Sequence, residues 1–323
     1  MCTAISVDAG EHYFGRNLDY EHTFGESICI TPRNFSFTFI NGKKTDYHYA
    51  LLGTALIKNN YPLYFDAINE KGLCMAGLNF PGFAHYFSKN RNKINVASYE
   101  IIPHFLSLCE NVEEAEHLAE KINITDTCFA KDMPPTPLHW IIADKDRCIV
   151  LEQTAGELKT YDNPVGVLTN SPSFNMQLFN LNNYLSVTSK EPENRFSSKI
   201  NLSAYSRGMG AVGLPGDNSS MSRFVRAAFV KLNSVFGNTE EAKISQMFHI
   251  LYSAYQQKGC VAVGDQYEIT NYTAVYNADK GIYYFSTYDN PSVFAIDMNN
   301  KNLEEDILIC YEMYSKHKID FLN

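Results

Sequence analysis

Polar and apolar positions alternate from the start of the chain. Cys2-Thr3-Ala4-Ile5-Ser6-Val7 carries the two-residue period of a strand, Asp8-Ala9-Gly10 closes it, and residues 13–19 read as a second strand. The pair predicts an opening hairpin that lays residues 16–19 beside the first residues of the chain. Three later stretches repeat the order strand, short polar turn, strand. They are residues 65–78 around Asn69-Glu70-Lys71-Gly72, residues 141–150 around Asp144-Lys145-Asp146-Arg147, and residues 273–285 around Asn277-Ala278-Asp279-Lys280-Gly281. In the first and last of these a glycine closes the turn, where a positive φ is expected.

Two pairs of helices interrupt the hairpins. The first is predicted over 97–109 and 112–121, the latter opened by Asn111 with Glu114 three residues on, the spacing of a capping box. In the second pair, Met221, Phe224, Val225, Ala228, Phe229, Leu232 and Val235 recur at three- and four-residue intervals. Ile244, Met247, Phe248, Leu251, Tyr252 and Tyr255 do the same before Gly259. Both stripes are expected in the core. Hairpins, a helix pair and further hairpins predict an α+β fold with segregated layers rather than the alternation of a parallel sheet.

Composition narrows the function classes. The 323 residues contain no evident linker, so a single domain over 1–323 is expected. A net charge of -9 with no basic block to offset it argues against a general binder of nucleic acid or anionic membranes. No apolar run approaches the roughly 18 residues of a spanning helix. The eight cysteines are scattered without a C-x-x-C pair, and no leader is read ahead of them, so reduced thiols in a cytoplasm are expected. The nine histidines show no zinc-ligand spacing, and no metal or cofactor is predicted. Gly208-Met209-Gly210-Ala211-Val212-Gly213 matches a dinucleotide fingerprint, but Leu214-Pro215-Gly216-Asp217 follows where a helix is required. It reads instead as a loop leading to a helix near Ser219.

Candidate chemistry begins at Cys2. With Met1 removed, this residue would carry a thiol and a free α-amine, whose ordinary pKa values of about 8.5 and 7.7–8.0 bring both within reach of neutral pH. The amine is then the nearest general base for the sulfur. A cysteine at position 2 is equally at home as the first residue of a strand. Arg16 and Asp19 read either as a solvated pair or as neighbours of Cys2 across the hairpin. Asn79 and Asn170 each end a strand before a turn; as turn residues they need no function, and as donors they suit an oxyanion. Arg223 lies in the first turn of a helix, the unfavourable end of the macrodipole for a cation, which points to a buried pairing with Asp19. Nearby Arg226 leaves a solvated basic face as the alternative.

Taken together these segments resemble a known family. Met1-Cys2-Thr3, Phe14-Gly15-Arg16-Asn17-Leu18-Asp19, Asn69-Glu70-Lys71-Gly72-Leu73, Ala76-Gly77-Leu78-Asn79-Phe80-Pro81, Leu138-His139-Trp140, Gly166-Val167-Leu168-Thr169-Asn170-Ser171-Pro172, Gly213-Leu214-Pro215-Gly216-Asp217 and Ser222-Arg223-Phe224 run in order along the chain. They are similar to the choloylglycine hydrolase family of N-terminal nucleophile hydrolases, closest to its bacterial bile salt hydrolases. The resemblance implies a four-layer αββα sandwich with two antiparallel sheets between helix layers. It further implies Cys2 as nucleophile, completed by Arg16, Asp19, Asn79, Asn170 and Arg223, with a conjugated bile salt as substrate and a homotetramer that needs no metal. Leu18, Phe24, Tyr61, Leu63, Phe129 and Met133 are candidates for a steroid-binding wall. A penicillin V acylase of the same family and a non-catalytic binding protein on the same fold are the alternatives. Asn79 favours the bile-salt side.

Overall fold

The computed structural model describes residues 1–313, 316–319 and 321–322. Strands β1 (Cys2–Asp8) and β2 (His12–Tyr20) form the expected hairpin, with Cys2 opposite Leu18 and Ala4 opposite Arg16. Strands β3 (Ser27–Thr31), β4 (Leu51–Lys58), β5 (Tyr61–Asn69) and β6 (Cys74–Asn79) follow, then helices α1 (Ile101–Leu108) and α2 (Val112–Ala119). The middle of the chain holds β7 (Leu138–Ala143), β8 (Cys148–Gln153), β9 (Leu158–Asp162), β10 (Val167–Leu168) and helices α3 (Phe174–Asn180), α4 (Ser220–Asn233) and α5 (Glu240–Tyr252). Strands β11 (Ile269–Asn277), β12 (Ile282–Thr287), β13 (Asn290–Asp297) and β14 (Ile309–Glu312) complete it.

Among the described residues these strands build two antiparallel sheets. One has six strands in the order β10-β1-β2-β11-β12-β13, the other eight in the order β9-β8-β7-β6-β5-β4-β3-β14. All three predicted later hairpins are present, as β5–β6, β7–β8 and β11–β12, and Gly72 and Gly281 take φ values of +87° and +67° in their turns. A short parallel pair, Ile94–Ala97 with Ile122–Thr125, falls outside the hairpin pattern.

Alternation along the eight-stranded sheet sorts the core. Cys74, Ala76 and Leu78 of β6 and Ile141 and Ala143 of β7 pack between the sheets against Ala4 and Phe14. Met75, Trp140 and Ile142 face the opposite way, onto Ile101, Phe105 and Val112 of α1 and α2. Phe224, Ala227 and Ala228 of α4, with Met247 and Leu251 of α5, join the core of the six-stranded sheet. The layers are therefore helix, sheet, sheet, helix: the αββα sandwich. Because the six-stranded sheet is covered on both faces, β1 is buried continuously from Cys2 to Val7. Its polar positions cannot reach water and must find partners inside the protein, since an unpaired buried polar group costs roughly 1–3 kcal/mol.

Local details differ from the sequence pattern in places. The first helix of the early pair begins as a 3-10 turn, Ser98–Glu100, and becomes α-helical only from Ile101. Asn111 caps α2 by accepting from Glu114 N, but the Glu114 carboxylate accepts from Glu110 N rather than Asn111 N, so the capping box is shifted by one residue. In the stripe of the second pair, Leu232 and Val235 are 62% and 86% exposed rather than core. Leu232 lies eight residues past Phe224, roughly 80° around the helix from it, and Val235 lies beyond the helix end. The seven-residue helix α3 was not expected; it is too short to show a period. Gly208 and its neighbours form a turn ahead of Ser219, whose side chain caps α4. Among the described residues no helix is long and apolar enough to cross a membrane.

Candidate active site

The hairpin register places the Arg16 side chain next to Cys2. Arg16 Nη2 donates to Cys2 Sγ at 2.8 Å, and Nη1 donates to the carbonyls of Phe65 and Gly77 at 3.0 and 3.3 Å. Arg16, Asp19 and Arg223 are each 0% exposed. Three ionisable groups out of contact with water are costly unless opposed charges and hydrogen bonds surround them. Arg16 is opposed by Asp66 on β5, whose Oδ2 lies 3.5 Å from Nη1. Asp66 accepts from Tyr272 Oη at 2.5 Å and from Tyr276 Oη, both on β11. Burial pushes the Asp66 carboxyl above the ordinary carboxylate range, while Arg16 and the two tyrosines pull the other way.

On the far side of Cys2, Arg223 from the first turn of α4 reaches back into the sheet. Its Nη1 donates to Cys2 O at 2.5 Å and Thr3 Oγ1 at 2.8 Å, its Nη2 to Asn170 Oδ1 at 2.7 Å, and its Nε to Asn218 O at 3.0 Å. The expected pairing with Asp19 is present at the long distance of 4.0 Å. Asp19 Oδ1 accepts from Thr270 Oγ1 at 2.6 Å, and Oδ2 is buried without a hydrogen-bond partner. Burial pushes the Asp19 carboxyl up to about 6, opposed by Arg223, the N-terminal ammonium and Thr270. That ammonium, on Met1, donates to Asp19 O at 2.7 Å and pairs with Glu268.

The two asparagines arrive from different sheets. Asn170, just past β10, accepts from Cys2 N at 2.7 Å through Oδ1 and donates through Nδ2 to Asn79 O at 2.8 Å. Asn79 ends β6 and lines the same cleft as Cys2. The six residues expected to form the chemical centre thus meet in one place. Asn170 binds the Cys2 nitrogen with its oxygen and spends an N–H on Asn79, so the structure gives it an orienting contact besides any donation to substrate.

Cys2 opens onto a cleft of about 550 Å³, within the roughly 300–1,000 Å³ of small-molecule sites. Leu18, Phe24, Leu63, Phe129 and Met133 line it, together with Leu56, Phe65 and the segment Pro134-Pro135-Thr136-Pro137. Asp, Glu, Lys and Arg are absent from its lining among the described residues. Tyr61 does not reach it. Its ring lies one layer back, 5.9 Å from Phe129 and 5.8 Å from Phe37, and its hydroxyl is buried without a partner. Sequence reasoning missed Asp66, Tyr272, Tyr276 and Thr270. The signal for Asp66 was a lone charge in the apolar run Tyr64-Phe65-Asp66-Ala67-Ile68; nothing marks the tyrosines, which are two among 21.

Comparison with known proteins agrees with this geometry. Residues 2–311 match the model of the linear amide C-N hydrolases, choloylglycine hydrolase family. A bile salt hydrolase/transferase from Lactiplantibacillus plantarum is 49% identical, covering 98% of both chains. The crystal structure of the mutant C2A conjugated bile acid hydrolase from Clostridium perfringens superposes with a TM-score of 0.91 at 36% identity over 100% of each chain. A penicillin V acylase from Agrobacterium tumefaciens, at 21% identity and a TM-score of 0.77 over 98% of this chain and 95% of that one, shares the fold. The protein belongs to the choloylglycine hydrolase family of linear amide C-N hydrolases.

Proposed function

We propose that this protein hydrolyses the amide bond of glycine- or taurine-conjugated bile salts, with Cys2 as the nucleophile once Met1 has been removed. The observation that carries the reading is the position of Cys2 Sγ. It sits on the floor of an uncharged apolar cleft, 2.8 Å from a buried guanidinium whose charge compensates a developing thiolate. The cleft suits a rigid apolar body ending in an amide. The relatives named above as bile salt and conjugated bile acid hydrolases support that choice of substrate.

The chemistry follows from the contacts. The freed Cys2 amine takes the thiol proton, and the sulfur attacks the amide carbonyl to give a tetrahedral oxyanion. Asn79, which lines the cleft, and Asn170 would stabilise it, an effect of about 2.7–4 kcal/mol per donor in comparable sites. The ammonium then protonates the departing glycine or taurine, leaving an acyl thioester on Cys2. Water attacks the thioester, the bile acid leaves, and the thiol is restored. Asn170 Oδ1 holds the Cys2 nitrogen, Asp19 balances its charge and Arg223 ties both to the Cys2 backbone. The Lactiplantibacillus relative is named hydrolase/transferase, and an amine in place of water would receive the same acyl group.

The test is release of glycine or taurine from glycocholate and taurocholate. We expect turnover by the Met1-free protein and none by Cys2→Ala. Hydrolysis that persists in Cys2→Ala would overturn the nucleophile, and a wild type inert on both substrates would favour a binding protein. Faster cleavage of penicillin V than of either bile salt would favour the acylase.

A homotetramer is part of the same proposal. It is supported by the stretch after α3, where Leu185, Phe196, Tyr205 and Val212 are 86%, 83%, 86% and 70% exposed, apolar surface that a second copy would cover. A monomeric mass in solution would refute it. A cytoplasmic location is supported by the eight free thiols.

A further inference from the structure

Asn79 and Asn170 belong to different sheets, so holding both over one carbonyl oxygen requires a fixed spacing between the sheets at this end of the sandwich. Asn170 Nδ2 donating to Asn79 O is one link. A second lies behind it. His139 of β7 is 0% exposed, and its Nε2 stands 2.8 Å from Thr169 O. A carbonyl oxygen only accepts, so Nε2 carries a proton and donates. His139 Nδ1 is 3.0 Å from Glu152 Oε1 on β8, also 0% exposed. The imidazole stacks on Phe80, with centroids 4.2 Å apart and planes 9° from parallel.

Thr169 immediately precedes Asn170, and Phe80 immediately follows Asn79. One ring therefore contacts the neighbours of both amides. The same network continues into α3. Glu152 Oε1 also accepts from Phe174 N at 2.9 Å, Gln177 Oε1 accepts from Thr169 Oγ1 at 2.7 Å, and Gln177 Nε2 donates to Asn170 O. His139 is not among the residues lining the cleft with Cys2, so its influence on the reaction runs through Thr169 and Phe80.

We propose that His139, held by Glu152, is a positioning residue that sets the spacing of Asn79 and Asn170 and hence the oxyanion-binding geometry. The inference rests on the amide-hydrolase reading. It differs from a merely structural role in what it leaves alone. Alkylation of Cys2 by a small electrophile needs the thiolate and no oxyanion site, whereas amide cleavage needs both.

The experiment compares wild type, His139→Ala and Glu152→Gln, all free of Met1. It measures kcat and KM on glycocholate per titrated Cys2, the rate of Cys2 alkylation by iodoacetamide, and thermal unfolding. In His139→Ala we expect kcat to fall about 100-fold, the scale of a misplaced donor or an ångström-level displacement, with KM within about threefold and alkylation within about twofold. Glu152→Gln keeps an acceptor for Nδ1 but removes the carboxylate. The carboxamide that replaces it can turn either its oxygen or its N–H toward Nδ1, so the ring is no longer held in one orientation, and kcat falls about tenfold with the same split. Should His139→Ala not fold, Glu152→Gln decides. Unchanged kcat in the folded variants overturns this inference alone, as does alkylation that slows in step with kcat. A wild type that cleaves neither bile salts nor penicillin V overturns both this inference and the reading beneath it.

Discussion

Around Cys2, the side chains of Arg16, Asp19, Asp66 and Arg223 are fully buried, and each has its geometry fixed by hydrogen bonds to particular atoms. Along the cleft above them, Leu18, Phe24, Leu63, Phe129 and Met133 hold their places by shape alone. The floor is electrostatically strained: burial lifts Asp19 to about 6 and leaves one of its oxygens without a hydrogen bond. The walls carry no such strain. The same fold therefore spends stability where a reaction must be driven and gains it where a substrate only has to fit. Mutations in the two regions should fail in different ways.

The largest effect is expected from Arg16→Leu. It removes the donor to Cys2 Sγ and leaves Asp66 as a buried charge without its cation, which costs about 3–5 kcal/mol of stability. Turnover should fall at least about 100-fold, with alkylation of Cys2 slowed in parallel. A folded Arg16→Leu enzyme with near-native kcat and Tm would erase the distinction between floor and wall.

Asp19 gives the next effect, through pH. Its unfolded carboxyl titrates near 3.9 and its folded one near 6, so as the pH rises the unfolded chain ionises first. Stability from this group is greatest below about pH 4, falls between 4 and 6, and levels off above 6, a loss of about 3 kcal/mol. Activity should run the other way, rising through about pH 6 as the ionised carboxylate becomes available to balance the Cys2 ammonium. Chemical denaturation of wild type and Asp19→Asn across this range isolates the contribution of this carboxyl. A wild type that gains stability relative to Asp19→Asn between pH 4 and 6 would contradict it.

A wall residue should behave more simply. Phe129→Ala removes apolar contact worth about 1.5–3 kcal/mol if fully used by the substrate, so KM for glycocholate should rise about tenfold or more while kcat stays within a few-fold. A fall in kcat at unchanged KM would place Phe129 with the chemistry instead. The smallest effect belongs to Tyr61→Phe. Because the Tyr61 hydroxyl is buried without a partner and the ring lies behind Phe129, the change should stabilise the fold by about 1 kcal/mol and leave KM alone. A raised KM would return Tyr61 to the wall.

The floor was more legible in the sequence than the wall, for a physical reason. Arg16 and Asp19 share their strand with the polar His12 and Asn17 as well as the apolar Tyr13, Phe14 and Leu18, so the local pattern leaves a solvated pair open and the family resemblance is what assigns them to Cys2. The hairpin that brings them to Cys2 depends only on local alternation and a turn. The helix pairs and later hairpins were legible on the same local grounds. Asp66, Tyr272 and Tyr276 lie on β5 and β11, from different sheets, and nothing local tells that one carboxylate accepts from both tyrosines. The wall is less readable still. Phe129 and Tyr61 are both aromatic residues near turns, and only the packing decides that one faces the cleft and the other backs it. Leu232 shows the converse: a helical period identifies a stripe but not how far the covering layer extends.

The central claim is that a cysteine with a free α-amine performs the reaction, and it is tested most directly by measuring intact mass and glycocholate hydrolysis on the same preparations. In the structure the Met1 ammonium is occupied by Asp19 O and Glu268, and the Cys2 nitrogen is an amide that donates to Asn170. An amide nitrogen cannot take the thiol proton. The account therefore predicts turnover proportional to the fraction of chains whose mass begins at Cys2, extrapolating to zero where every chain keeps Met1. Full turnover from chains that retain Met1 would contradict it.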